Sequence, residues 1–153
     1  MRYEYIEPFV ATTKRVLTSI IRDEVSSGDI GLVGGQDLSG DVFILIPVRG
    51  DSEGCIIVNM TADTARKVCA VMSGTDCGGG SAVELDALAE LSNMIVGSAT
   101  SSLNDLGYDF SVHPPSVIGR ADVAAKTGGV ELFRVPLGTK LGEISVNVAL
   151  RMN

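Results

Sequence analysis

The chain has no tryptophan and only one histidine, His113, among its 153 residues. One imidazole flanked by Pro114-Pro115 reads as a turn or partly buried side chain rather than a general base, and it offers no second ring for a metal centre. The three cysteines, Cys55, Cys69 and Cys77, form no C-x-x-C, have no clustered histidines and are odd in number. Neither a disulfide framework nor a zinc site is expected from them; Cys55 and Cys69 read as small buried hydrophobes and Cys77 as a loop thiol. Basic residues are scarce, 12 against 19 acidic for a net charge of −7. They are scattered, which excludes a nucleic-acid backbone or an anionic membrane surface as the expected partner, while a small basic partner stays open. The longest apolar run, Val42 to Val48, is far short of a membrane span, and Met-Arg-Tyr-Glu-Tyr at the amino terminus has no signal-peptide core. A cytoplasmic protein is the default expectation.

What is present is enough for one domain, residues 1–153, since a chain of this length buries roughly two thirds of its unfolded surface. Phe9, Val10, Thr13, Val16, Leu17, Ile20 and Ile21 form a helical stripe over about Tyr5 to Glu24, with Pro8 tolerated in the first turn. Ser26-Ser27-Gly28 ends it, and strands are expected at Ile30 to Val33, at Val42 to Val48 and, after a Gly50 to Gly54 turn, at Cys55 to Met60. Thr61 caps a short helix that stops at Ser73-Gly74. Thr75 to Gly80 reads as a flexible connector; its three glycines precede a helix as in a phosphate loop, but no Gly-Lys-Ser/Thr follows. Further strands are expected at Tyr108 to Val112 and Val117 to Val123 around His113-Pro114-Pro115. Two more follow at Val130 to Leu137 and Leu141 to Arg151, the last with Ile144, Val146, Val148 and Leu150 inward. Helix, strands, two helices, strands is the order of an α+β fold, in two layers with helices packed on a mostly antiparallel sheet.

The most informative stretch runs from Ser81 to Gly107. Ser81 and Glu84 have the form of a capping box, and Gly107 supplies a left-handed stop. Leu88, Leu91, Ile95, Ala99, Leu103 and Leu106 recur at helical spacing as the buried stripe, whereas Asp86, Glu90, Asn93, Gly97, Thr100 and Asn104 share a second, polar face nearly free of long cations. Glu90 and Asn93 are one turn apart, so both can reach one small target. A carboxamide donates and accepts and can hold a water in line with an electrophile, and a carboxylate can engage a docking cation. Gly97 costs the helix about 1 kcal/mol against alanine, which a close backbone approach by a partner would explain. An ordinary solvated face, with Gly97 making room for a neighbouring strand, is the competing reading of the same residues.

Glu90-Leu91-Ser92-Asn93-Met94-Ile95-Val96-Gly97, preceded by Asp86 and followed by Pro114-Pro115, resembles the signature of the CheX/CheC/FliY family of chemotaxis phosphatases. The likeness extends over nearly the whole chain, including Gly50 to Met60 and Thr61 to Gly74. It implies a CheC-like fold and hydrolysis of the aspartyl phosphate of a CheY-type response regulator. On that resemblance Asn93 orients the attacking water and Glu90 pairs with the regulator's lysine, while Asp86, Gly97 and Thr100 belong to the docking surface. It also implies no metal or cofactor of the chain's own, the Mg²⁺ being held by the regulator. Tyr5 to Glu24 contains no second Glu-x-x-Asn, which favours the CheX branch, typically homodimeric. The alternative is a non-catalytic adaptor of the same fold that binds a receiver domain or a flagellar component.

Overall fold

The computed structural model describes residues 6–152, leaving aside the side chains of Ser52 and of residues 150–152. Tyr5 as a helix start and Leu150 as an inward strand position therefore lie outside the described residues. The elements are α1 (Ile6–Ile21), β1 (Ser26–Ser27), β2 (Gly31–Val33), β3 (Val42–Gly50), β4 (Ser52–Met60), α2 (Ala62–Ser73), α3 (Ala82–Asp105), β5 (Phe110–Val112), β6 (Ser116–Ile118), α4 (Arg120–Thr127), β7 (Leu132–Thr139) and β8 (Gly142–Met152). The strands form one eight-stranded sheet in the order β1-β7-β8-β4-β3-β5, with β2 also on β7 and β6 also on β3. Its pairings are antiparallel. The α+β expectation holds.

Alternation along the strands divides the core between the two faces of the sheet. Ile44, Ile46 and Val48 of β3 and Ile56 and Val58 of β4 join Phe9 and Leu17 of α1 and Leu88, Leu91 and Ile95 of α3 on one face. Each fully buried leucine or isoleucine there contributes about 1.5–3 kcal/mol. On the other face Phe43, Leu45, Cys55 and Ile57 pack with Leu132 and with Val123 of α4. Burial pushes the free Cys55 thiol up to about 11. Asn147 is also buried here, its amide donating to Ile57 O at 2.9 Å and to Asn59 Oδ1 at 2.6 Å, and Asn59 in turn donates to Ser39 O.

β5 and β6 are two pieces of one edge strand. Val112 pairs with Val48 and Ser116 with Leu45, and between them His113 N donates to Pro47 O at 2.9 Å while Pro114-Pro115 supply no donor. At the start of this edge Gly50, at φ 125°, sits so close to the next strand that a Cβ would lie 2.1 Å from Asp109 O. The β3–β4 reversal is tighter than the expected Gly50 to Gly54 turn, since Gly54 already pairs with Val48.

Four sequence expectations need correction. Val117 to Val123 is not one strand: pairing ends at Ile118, Gly119 begins α4, and Gly128 at φ 64° stops it, so three alanines outweigh the valines that suggested a strand. Helix α1 ends at Ile21 rather than Glu24, with Arg22 at φ 59° turning the chain. Leu106 is 67% exposed, beyond the last buried turn of α3, and does not extend the apolar stripe. Most consequential, Cys69 and Cys77 are joined in a disulfide, Cα to Cα 6.2 Å. Gly74, left-handed at φ 81°, ends α2 and folds the connector back over its last turns, a proximity that spacing alone does not reveal.

Candidate functional site

Helix α3 carries the candidate residues, and its start is firmly built. Ser81 Oγ accepts from Glu84 N at 3.2 Å and donates to Cys77 O at 2.7 Å. The capping box is offset by one residue, because the Glu84 carboxylate takes Gly80 N at 3.3 Å instead of the cap's own amide. Glu84 is only 3% exposed and its other oxygen, Oε2, is buried without a hydrogen bond. At the far end Gly107, at φ 98°, is the expected left-handed residue.

One flank of α3 lies against α1 and α2, where Thr12 Oγ1 and Ser102 Oγ approach to 3.5 Å; the other lies along β3, β5 and β6. Asn104 fixes that second flank. Its amide accepts from Phe110 N at 2.9 Å and donates to Phe110 O at 3.2 Å, so this residue of the polar face, though exposed, ties the helix to the edge strand. Asn93, Gly97 and Thr100 stand on the same flank at helical spacing.

Burial sorts the candidates. Asp86, Glu90 and Asn93 are exposed and Gly97 is half-buried. Neither Glu90 nor Asn93 is engaged by a partner among the described residues, which leaves both free to meet an incoming molecule. Along a helix they are about 4.5 Å apart in rise and about 60° apart in rotation. A Cβ built on Gly97 meets nothing within 4 Å, so packing inside the chain does not explain the glycine. Thr100 differs from the others: at 8% exposure it turns inward and offers little surface.

Three apolar side chains near this face were not singled out from the sequence. Val83 and Met94 lie on the exposed stripe of α3 with Glu90, 56% and 41% exposed. Val117 of β6 is 45% exposed and pairs with Ile44, on the helix-bearing face of the sheet at its edge. Single exposed hydrophobes are ordinary; what sets Val83 and Met94 apart is the helical spacing that puts them on one stripe with Glu90. The result is the open flank of a helix with apolar borders, suited to meeting another protein. A cleft of about 450 Å³ lined by Leu45, Pro47, Cys55, Ala125, Val130 and Ala149 opens on the opposite face of the sheet and shares no residue with it.

Residues 42–137 match the family model described as chemotaxis phosphatase CheX. The chain belongs to the CheX family. Membership makes it a phospho-aspartyl protein phosphatase and therefore a hydrolase. A curated relative, the CheY-P phosphatase CheX of Thermotoga maritima, is 25% identical over 133 residues, covering 86% of this chain and 85% of the relative. Among solved structures, CheX of Borrelia burgdorferi in a complex with CheY, BeF₃ and Mg²⁺ is 28% identical with a TM-score of 0.80, covering 98% of this chain and 99% of that one. A CheC-like superfamily protein from Shewanella sp. PV-4 shares the fold, with a TM-score of 0.83 at 22% identity over 99% of each chain. The matched span of this CheX-family chain contains all of α3, including Glu90 and Asn93.

Proposed function

We propose that this CheX-family chain hydrolyses the aspartyl phosphate of a CheY-type response regulator in chemotaxis signalling, with Asn93 and Glu90 as its working side chains. The observation that carries the reading is the pair itself: an amide and a carboxylate one helical turn apart, both exposed, both unengaged among the described residues. The Asn93 carboxamide is too weak a base to abstract a proton and is not a nucleophile. Its carboxamide holds a water in line with the phosphorus of the docked aspartyl phosphate, and attack by that water releases inorganic phosphate and the free aspartate. Glu90 draws the regulator's active-site lysine to itself, which orients the two proteins. Positioning of this kind suffices for a reaction whose transition state asks for little covalent help.

The regulator brings the Mg²⁺, a division of labour consistent with the Borrelia CheX complex, which was solved with CheY, BeF₃ and Mg²⁺ together. Asp86 and Gly97 border the docking surface, with Met94 and Val117 as its apolar contacts. Thr100, being inward, supports that surface by packing beneath it. The chain works in the cytoplasm, as a homodimer; no described helix is long and apolar enough to cross a membrane.

The test is dephosphorylation of a phosphorylated CheY-type receiver by catalytic amounts of the protein. Asn93→Ala lowers the rate constant by about 10²–10³, the usual effect of removing one transition-state contact, with an unchanged circular dichroism spectrum. Full activity in that variant removes Asn93 from the mechanism. Saturable one-to-one binding with no change in phosphate lifetime would establish the adaptor reading in its place.

A further inference from the structure

Cys69 and Cys77 are used by nothing in the proposed reaction, yet their bond meets the start of the helix that carries Glu90 and Asn93. Cys69 is fully buried in α2, and Cys77 lies half-buried in the connector, next to the exposed Asp76. The Cys77 carbonyl accepts from the Ser81 hydroxyl, and that same hydroxyl caps α3. From Gly78 the connector continues through three glycines, with Gly78 and Gly80 left-handed at φ 73° and 72°. A segment so rich in glycine has much conformational entropy to regain once released. Its remaining ties are hydrogen bonds, among them the exposed Arg66 holding Asp76 at 2.8 and 3.1 Å, Ser73 Oγ donating to Thr75 O at 3.0 Å and Gly80 N donating to the Glu84 carboxylate.

We infer that Cys69 and Cys77 form a redox modification site, a dithiol/disulfide pair reduced by external dithiols, whose oxidation state sets the order of the first turn of α3. This inference does not depend on the phosphatase reading. Access fixes the chemistry. A thiolate of the external dithiol attacks the Cys77 sulfur, the only one of the two near the surface, and the bond to Cys69 breaks, Cys69 leaving as a thiolate that takes up a proton. The reagent's second thiolate then attacks its own sulfur in the mixed disulfide and expels Cys77, which is protonated in turn. Two electrons and two protons pass to the protein, and the dithiol becomes a disulfide. A small-molecule disulfide reverses the sequence. In the cytoplasm proposed above, which is reducing, a disulfide is expected to be of this sensing kind rather than a permanent staple.

The experiment compares full-length protein treated with oxidised glutathione or with dithiothreitol. After oxidation one thiol, Cys55, reacts when the chain is denatured; after reduction all three cysteines do. Reduction lowers Tm by about 5–10 °C, the size expected for opening a loop this short in a 150-residue protein. Exchange of the Glu84 and Leu85 amides, both held by Ser81, accelerates by tenfold or more while exchange in β4 and β8 does not. Cys77→Ser shows the reduced Tm and exchange under both treatments. Three reactive thiols after oxidation would overturn the inference. So would equal Tm and exchange in the two states, or a Cys77→Ser protein that matches the oxidised wild type.

Discussion

Gly97→Ala separates the needs of the fold from those of docking, because the two respond with opposite signs. Within the chain the added methyl meets no atom inside 4 Å, and Gly97 lies in the interior of α3 away from either end. The substitution therefore stabilises the helix by about 1 kcal/mol, which raises Tm by about 2–4 °C for a domain of this length. If a regulator's backbone approaches this position, the same methyl lies between two packed surfaces. Inserting one methyl group where nothing can yield costs about 1–3 kcal/mol, and that loss appears in association, as a fall in kcat/KM of about 5- to 150-fold. The assay pairs thermal unfolding with phosphate release from a phosphorylated CheY-type receiver, over a range of receiver concentrations that separates KM from kcat. The expected result is a raised Tm, a raised KM and a kcat near wild type. A raised Tm with unchanged kcat/KM refutes the reasoning: the methyl would then be in open solvent during catalysis, and Gly97 would be no part of the interface.

Val117→Glu places a charge in the apolar border beside the site; KM rises by about fivefold or more, as for loss of a contact worth ~1 kcal/mol, while far-ultraviolet circular dichroism is unchanged. Asn104→Ala removes both bonds to the Phe110 backbone and costs about 1–3 kcal/mol in urea unfolding, counting roughly 0.5–1.5 kcal/mol for each; a change near zero would show that α3 does not need this tie to the edge strand. The Arg66 guanidinium, followed by the Gly78 amide, holds the Asp76 carboxyl down to about 2 from an ordinary 3.8. A carboxyl depressed in the folded state stabilises above its unfolded value, and that contribution is lost as pH falls from about 3.8 toward 2. Asp76→Asn accordingly shows a shallower decline of the urea midpoint across that window than wild type, and an identical decline would remove the pair from acid unfolding.

Legibility followed the reach of each signal. Periodicity located α3 and both central strands because Leu88, Leu91 and Ile95, or Ile44 and Ile46, report their own burial through spacing. Glu90 and Asn93 draw attention for a complementary reason: they are a polar pair on a face without lysine or arginine, and the family likeness, rather than the spacing, supplies the role proposed for them. What escaped depended on partners distant in the chain. Asn104 looks solvated until Phe110 returns beside it, and Thr100 looks like its neighbours until the flank of α3 meets the sheet. The eight-residue separation of Cys69 and Cys77 has no motif, since a left-handed Gly74 brings them together rather than any local repeat. Helix α4 is masked in the sequence because Val117, Ile118 and Val123 suggest a strand, whereas Gly119 divides them between two elements.

The broken edge strand bears on how copies of this chain can associate. A neighbouring sheet that tried to extend this one past β5 and β6 would find two short ladders of three residues each, separated by two prolines that cannot donate. Interruptions of this kind guard a sheet margin against unplanned pairing. They discourage a dimer formed by joining sheets through that margin, so a second copy of the chain has to associate through another surface.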